Sequence, residues 1–141
     1  MTTTFCSSNH IGTEDEPGDR EVPIVRLDGY VASSALPAPT WIKIDIEGME
    51  LPALRGAEKA LRSSMPVVIG EISHLLTRFG ADLQNLTAYM DSLGYDFFRL
   101  DGKGKLIRVS LPCSNLAELG CSSDNNFWFV PRIRTLPPLM L

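Results

Sequence analysis

The chain has 141 residues, 44% of them apolar, a formal charge of −4 and a pI near 5.1. That is enough for one buried core, and the acidic balance leaves no electrostatic footprint for nucleic acid or an anionic lipid surface, so neither is expected as a partner. No run approaches the ~18 apolar residues of a membrane span, and the start, MTTTFCSSNHIG, lacks a basic n-region and an apolar h-region, which reads as a cytoplasmic protein.

Residues 1–21 are polar and rich in turn formers, with Glu14-Asp15-Glu16 followed by Pro17-Gly18, and are expected to be disordered. Val22 to Leu27 is a short strand candidate, and Asp28 could cap a short helix through Ser33. Ala35 to Thr40, with Pro37 and Pro39, reads as a connector. Ile42, Ile44 and Ile46 then alternate with Lys43, Asp45 and Glu47, which is the period of a strand. Gly48 ends it, and Leu51, Leu54, Ala57 and Leu61 recur at the spacing of one amphipathic helix, with Glu50, Arg55, Glu58, Lys59 and Arg62 on the remaining surface. Pro52 is tolerable only in the first turn, so the helix begins near Met49 or Glu50. This tight connection sets Asp45 and Glu47 at the carboxyl end of a strand, the edge where open α/β sheets bind ligands.

Ser63 to Pro66 is a break, and Val67 to Ile72 is an apolar strand interrupted only by Glu71, with both faces covered. In a parallel neighbour Glu71 would reach the same rim as Asp45, and either pairing with Lys43 or function would justify it there. His74 follows in a loop. It is either a base that titrates near neutrality or a solvated surface residue. Leu83, Leu86, Met90 and Leu93 mark a second helix, with Asp82 as N-cap and Gly94 just past its end. Tyr95 to Leu100 and Leu106 to Leu111 read as strands around a turn at Asp101–Lys105, where Lys103, Lys105 and Arg108 are a solvated hairpin. Phe127 to Val130 is the last strand. The aromatics Phe97, Phe98 and Trp128 read as strand packing rather than a stacking site. Cys6, Cys113 and Cys121 match no metal-ligand spacing and read as free thiols. The element order gives an α/β sheet that is parallel at first and ends in antiparallel strands.

Five landmarks carry a family resemblance: Leu27-Asp28, the run K-I-D-I-E-G-x-E-L-x-x-L-x-G-A, the strand Pro66 to Glu71, the junction Leu93-Gly94-Tyr95, and the terminal Asn-Phe-Trp-Phe-Val-Pro. In this order they resemble the FkbM family of S-adenosylmethionine-dependent methyltransferases, over about Val22 to Pro131, with 132–141 as a tail. The resemblance implies a Rossmann-like (class I) methyltransferase sheet, here partial, S-adenosylmethionine as cofactor, and O-methylation of a small-molecule or sugar (glycan) hydroxyl. The glycine-rich loop and acidic residue that the family uses to hold the cofactor have no counterpart, because the first 21 residues cannot contain the two βαβ units of roughly 30 residues each that would carry them. The cofactor-binding residues are therefore unknown, and the chain is expected to be an amino-terminally truncated domain whose open strand edge leads to a homodimer or an aggregation-prone product, or is covered by the strand Val22 to Leu27.

For methyl transfer, Asp45 is the first candidate to remove the acceptor's proton or orient it, with Glu47, Glu71 and His74 as further catalytic candidates. Alternatively Asp45, Glu47 and Glu71 supply oxygen ligands to Mg²⁺, or Asp45 serves structure by pairing with Lys43 or capping the next helix. Glu47 faces the cleft or favours the positive end of the helix, Gly48 supplies a backbone shape that a Cβ would hinder, and Glu50 supports the helix start. A catalytically silent fragment and a non-enzymatic α/β module with an acidic rim are the competing functions.

Overall fold

The computed structural model describes residues 23–101, 103–109 and 126–134. Ten elements follow in order: α1 (Leu27–Ser34), β1 (Trp41–Ile44), α2 (Glu50–Gly56), α3 (Glu58–Ser63), β2 (Val67–Glu71), a 3-10 helix (His74–Phe79), α4 (Leu83–Ser92), β3 (Tyr95–Leu100), β4 (Leu106–Val109) and β5 (Asn126–Pro131). The expected disorder of 1–21 and the three cysteines lie outside the described residues.

The strands form one mixed sheet in the order β1-β2-β5-β3-β4. β1 and β2 run parallel, and every later pairing is antiparallel, as the element order predicts. β5, last in the chain, lies between β2 and β3 and antiparallel to both. On its outer side β1 has no partner among the described residues.

Register places Ile44, Val68, Phe97, Phe127 and Phe129 on one face of the sheet, and these pack with Leu51, Leu54, Leu61, Leu86 and Met90 in a single core. The helices α2, α3 and α4 therefore cover that face. Phe97 stacks on Phe127 with ring centroids 5.0 Å apart. On the other face Trp128 meets Trp41 edge to face at 6.1 Å, so the aromatics pack on the sheet, as expected.

Several elements differ from the sequence reading. Residues 23–26 join no strand, and Leu27 opens a helix with Ile24 and Val25 left exposed on its approach. β1 stops at Ile44 rather than Ile46. The long amphipathic helix divides at Ala57, whose φ of −110° and ψ of 14° interrupt the helical path. The loop carrying His74 is a 3-10 helix. The second helix keeps its predicted caps: Asp82 Oδ1 accepts from Asn85 N at 2.6 Å, and Gly94 has φ +84°. The turn between β3 and β4 is held by Asp101, whose Oδ1 accepts from the amides of Lys103 and Lys105.

Asp28 does not cap its own helix, whose N-cap position is Arg26. Its two carboxylate oxygens accept from the amides of Lys59 and Ala60 at 2.9 and 3.0 Å, so it caps α3 from 31 residues away. α3 has no cap of its own, because Ala57 stands at that position. Asp28→Ala should cost about 1 kcal/mol, the usual value of a lost helix cap. A urea midpoint equal to that of the wild type would show that the contact contributes nothing.

Arg108 is paired rather than merely solvated. With Arg132 it brackets Asp96, at 2.6 and 3.0 Å, and Arg132 also pairs with Asp91 and donates to the Tyr95 carbonyl. Partial burial pushes the Asp96 carboxyl upward, but hydrogen bonds and charge from both arginines outweigh this and hold it below the ordinary carboxylate range. Arg134 donates to the Ser64 carbonyl at 3.1 Å, which ties the chain beyond β5 to the end of α3.

Tyr95 is fully buried, and its hydroxyl donates to the Leu61 carbonyl at 3.1 Å. Burial pushes that hydroxyl up from 10.0 to about 12, against a smaller opposite pull from Arg134. The raised value makes the protonated phenol the native form, so its contribution is complete below pH 10 and is lost as pH rises towards 12. Stability in urea should accordingly fall between those two values, and less steeply in Tyr95→Phe. Parallel profiles for the two proteins would rule out Tyr95 as the cause.

Candidate functional site

The acidic corner is built where the chain leaves β1. Between Ile44 and Glu50 it reverses through Glu47 at φ +53° and Gly48 at φ +109°. Left-handed backbone is uncommon for a residue with a Cβ, so Glu47 needs an external constraint. Two contacts supply one. Glu50 Oε1 accepts from the amides of Ile46 and Gly48, at 3.3 and 3.2 Å. Gly48 also lies against the 3-10 helix: a Cβ there would stand 2.2 Å from the Leu75 carbonyl oxygen and 3.3 Å from the Phe79 ring. The expectation that a Cβ would hinder this position agrees with that contact.

The candidate residues then fall into place around the corner. Asp45 is exposed, with Oδ2 3.0 Å from Lys43 Nζ. The predicted Lys43 pairing therefore goes to Asp45, at the surface rather than within a covered sheet. Asp45 does not cap α2, whose N-cap position is Met49 with no side-chain bond. Parallel register sets Ile44 beside Gly70, so the next positions, Asp45 and Glu71, are level at the carboxyl ends of β1 and β2. Glu71 closes β2 and is exposed, and Glu47 is half-buried in the turn. His74 opens the 3-10 helix, exposed, three residues beyond Glu71. One rim thus carries Asp45, Glu47 and Glu71, with His74 on the adjoining segment.

The Mg²⁺ reading finds no support in this arrangement. Among the described residues no three or more His, Cys, Asp or Glu side chains converge as a metal-binding group. The carboxylates share a rim without closing on a point, as a hard cation with several oxygen ligands requires.

Glu50 is the residue whose importance the sequence reading understated. It is 3% exposed, and its Oε2 is buried with no hydrogen-bond partner among the described residues. The signal was present: Glu50 stands four residues before Leu54, on the same helical stripe as Ala57 and Leu61, and so on the buried side.

The rim is chemically suited to a hydroxyl-bearing or cationic molecule, because its carboxylates are acceptors and favour positive charge. Asp45, Glu47 and Glu71 are the described groups that could face such a molecule. None of the described segments is a glycine-rich turn between a strand and a helix. No described helix is long and apolar enough to cross a membrane.

No curated protein and no solved structure matches the chain. The family model of the methyltransferase FkbM domain matches residues 3–97, beginning earlier and ending sooner than the landmarks from Val22 to Pro131. The match spans more than half of the chain and includes the whole acidic corner, Glu71 and His74, so this protein belongs to the FkbM methyltransferase domain family.

Proposed function

We propose that the protein works as an O-methyltransferase that uses S-adenosylmethionine to methylate a hydroxyl of a small molecule or sugar, with the acidic rim on the acceptor side. The observation that carries this reading is the exposed carboxylate of Asp45 at the carboxyl end of β1, inside the matched family segment. A Rossmann-like arrangement agrees with the parallel β1–β2 pair and the antiparallel β5 beyond it.

When bound, the cofactor supplies a methyl carbon on a sulfonium sulfur. The methyl would pass to the acceptor oxygen as a new carbon–oxygen bond, with the carbon–sulfur electron pair left on sulfur. Asp45 takes the hydroxyl proton as that bond forms and then passes it to solvent. Lys43, 3.0 Å away, keeps Asp45 oriented. Glu47 and Glu71 border the acceptor and give the rim its negative charge.

Titration calorimetry of S-adenosylmethionine into the purified chain tests this reading. Saturable binding at micromolar affinity is the expected result. A folded chain that takes up no cofactor would reject the enzymatic reading for these residues and favour a catalytically silent domain.

A further inference from the structure

We infer that Glu50 is a positioning residue for the acidic corner, acting on Asp45 and Glu47 through the amides of Ile46 and Gly48. The inference rests on reading this rim as the acceptor side of a methyltransferase.

Its geometry separates it from an ordinary helix cap. Glu50 is the first residue of α2, yet its carboxylate turns back and accepts from two amides that precede the helix. These amides flank Glu47, the one residue of the corner held left-handed despite its Cβ. Ile46 is also the direct neighbour of Asp45, so the Ile46 bond fixes the peptide from which Asp45 leaves β1. A single carboxylate oxygen therefore restrains both sides of Glu47 and the carboxyl side of Asp45.

Stability alone gives a poor account of this residue. Burying a carboxylate is costly, and Oε2 has no hydrogen-bond partner among the described residues to offset that cost. The position belongs to the apolar stripe of α2, where Met or Leu would pack against the same core without that penalty. What an apolar side chain cannot do is accept the two amides. The carboxylate is thus explained by the shape it imposes on residues 45–48 rather than by the cohesion it adds.

The test compares the full chain with Glu50→Met, Glu50→Leu and Glu50→Gln, using NMR. The two apolar variants suit the buried stripe and should fold. In both, amide exchange at Ile46 and Gly48 should accelerate on the order of 10–100-fold, the equivalent of losing a hydrogen bond to a charged acceptor. The carboxyl carbon signals of Asp45 and Glu47 should shift at the same time. Glu50→Gln keeps an acceptor oxygen and should restore both amides and both carboxyl signals. Unchanged Asp45 and Glu47 signals in the apolar variants, or a Gln variant that fails to restore them, would overturn the positioning role even if the melting temperature moved. Titration of the wild-type chain with S-adenosylmethionine is run alongside. Absence of binding there would defeat the methyltransferase reading, while the amide and carboxyl signals would still decide whether Glu50 sets the corner.

Discussion

Gly48→Ala should destabilise the protein by about 3 kcal/mol or more, combining strained positive-φ backbone with overpacking at ~1–3 kcal/mol each. The added Cβ would lie 2.2 Å from the Leu75 carbonyl oxygen and 2.8 Å from its carbon. Both are backbone atoms, so no rotamer change can make room. Relief would require the 3-10 helix to move away from the corner, or Gly48 to leave φ +109° and release its hydrogen bond to Glu50. The sign is informative, because a Gly-to-Ala change at a compatible site stabilises a protein by about 0.4–1 kcal/mol through the unfolded chain. Gly29, inside α1 with open space for 4 Å around the point where a Cβ would stand, is such a site. Urea unfolding of the two variants should therefore move the midpoint in opposite directions. Equal shifts of the same sign would mean that the corner tolerates a side chain and is not locked against Leu75.

The second large effect falls on turnover. On the proposed methyltransferase reading, Asp45→Asn should lower methyl transfer by about 10²–10⁴-fold, the range associated with loss of a general base. Asparagine keeps the shape of the side chain but cannot take the acceptor's proton. Stability should barely change, since Asp45 is exposed and a surface pair such as Lys43–Asp45 contributes at most about 1 kcal/mol. Rate and melting temperature should be measured on the same preparation. A rate near that of the wild type would remove Asp45 from the mechanism, whereas a large loss of stability would recast it as structural.

Much of this corner is legible in the sequence because its signals are local. Alternation from Ile42 to Ile46, the helix start fixed by Pro52, and the glycine between them place Asp45 near a strand end, although β1 itself stops at Ile44. The parallel β1–β2 pair and the caps at Asp82 and Gly94 follow from similarly short-range patterns. What the sequence conceals is long-range. Asp28 reads as a cap for the helix it sits in, but the amides it satisfies belong to Lys59 and Ala60. Apolar Val22 to Leu27 reads as a strand, yet a strand needs a partner, and no described segment pairs with residues 23–26. The division of the helix at Ala57 has a local signal in Gly56, but the apolar spacing of Leu51, Leu54, Ala57 and Leu61 runs on through it and reads as one helix. Glu50 differs from these, since its place on the stripe of Leu54, Ala57 and Leu61 is legible and only its own polarity makes it read as a surface acid.

The position of β5 bears on how the protein forms during synthesis. β1 and β2 leave the ribosome first and β3 and β4 later, but the strand that joins these two ribbons consists of residues 126–131. Until it emerges, β2 and β3 each present an unsatisfied edge, and Phe97 lacks the Phe127 and Phe129 rings that pack against it. The nascent chain must therefore carry two half-sheets with unpaired edges from the emergence of β4 until that of β5. A chaperone that shields strand edges, or a pause that delays Asn126 to Pro131, would bear on the yield of folded protein more than either would for a sheet assembled in chain order.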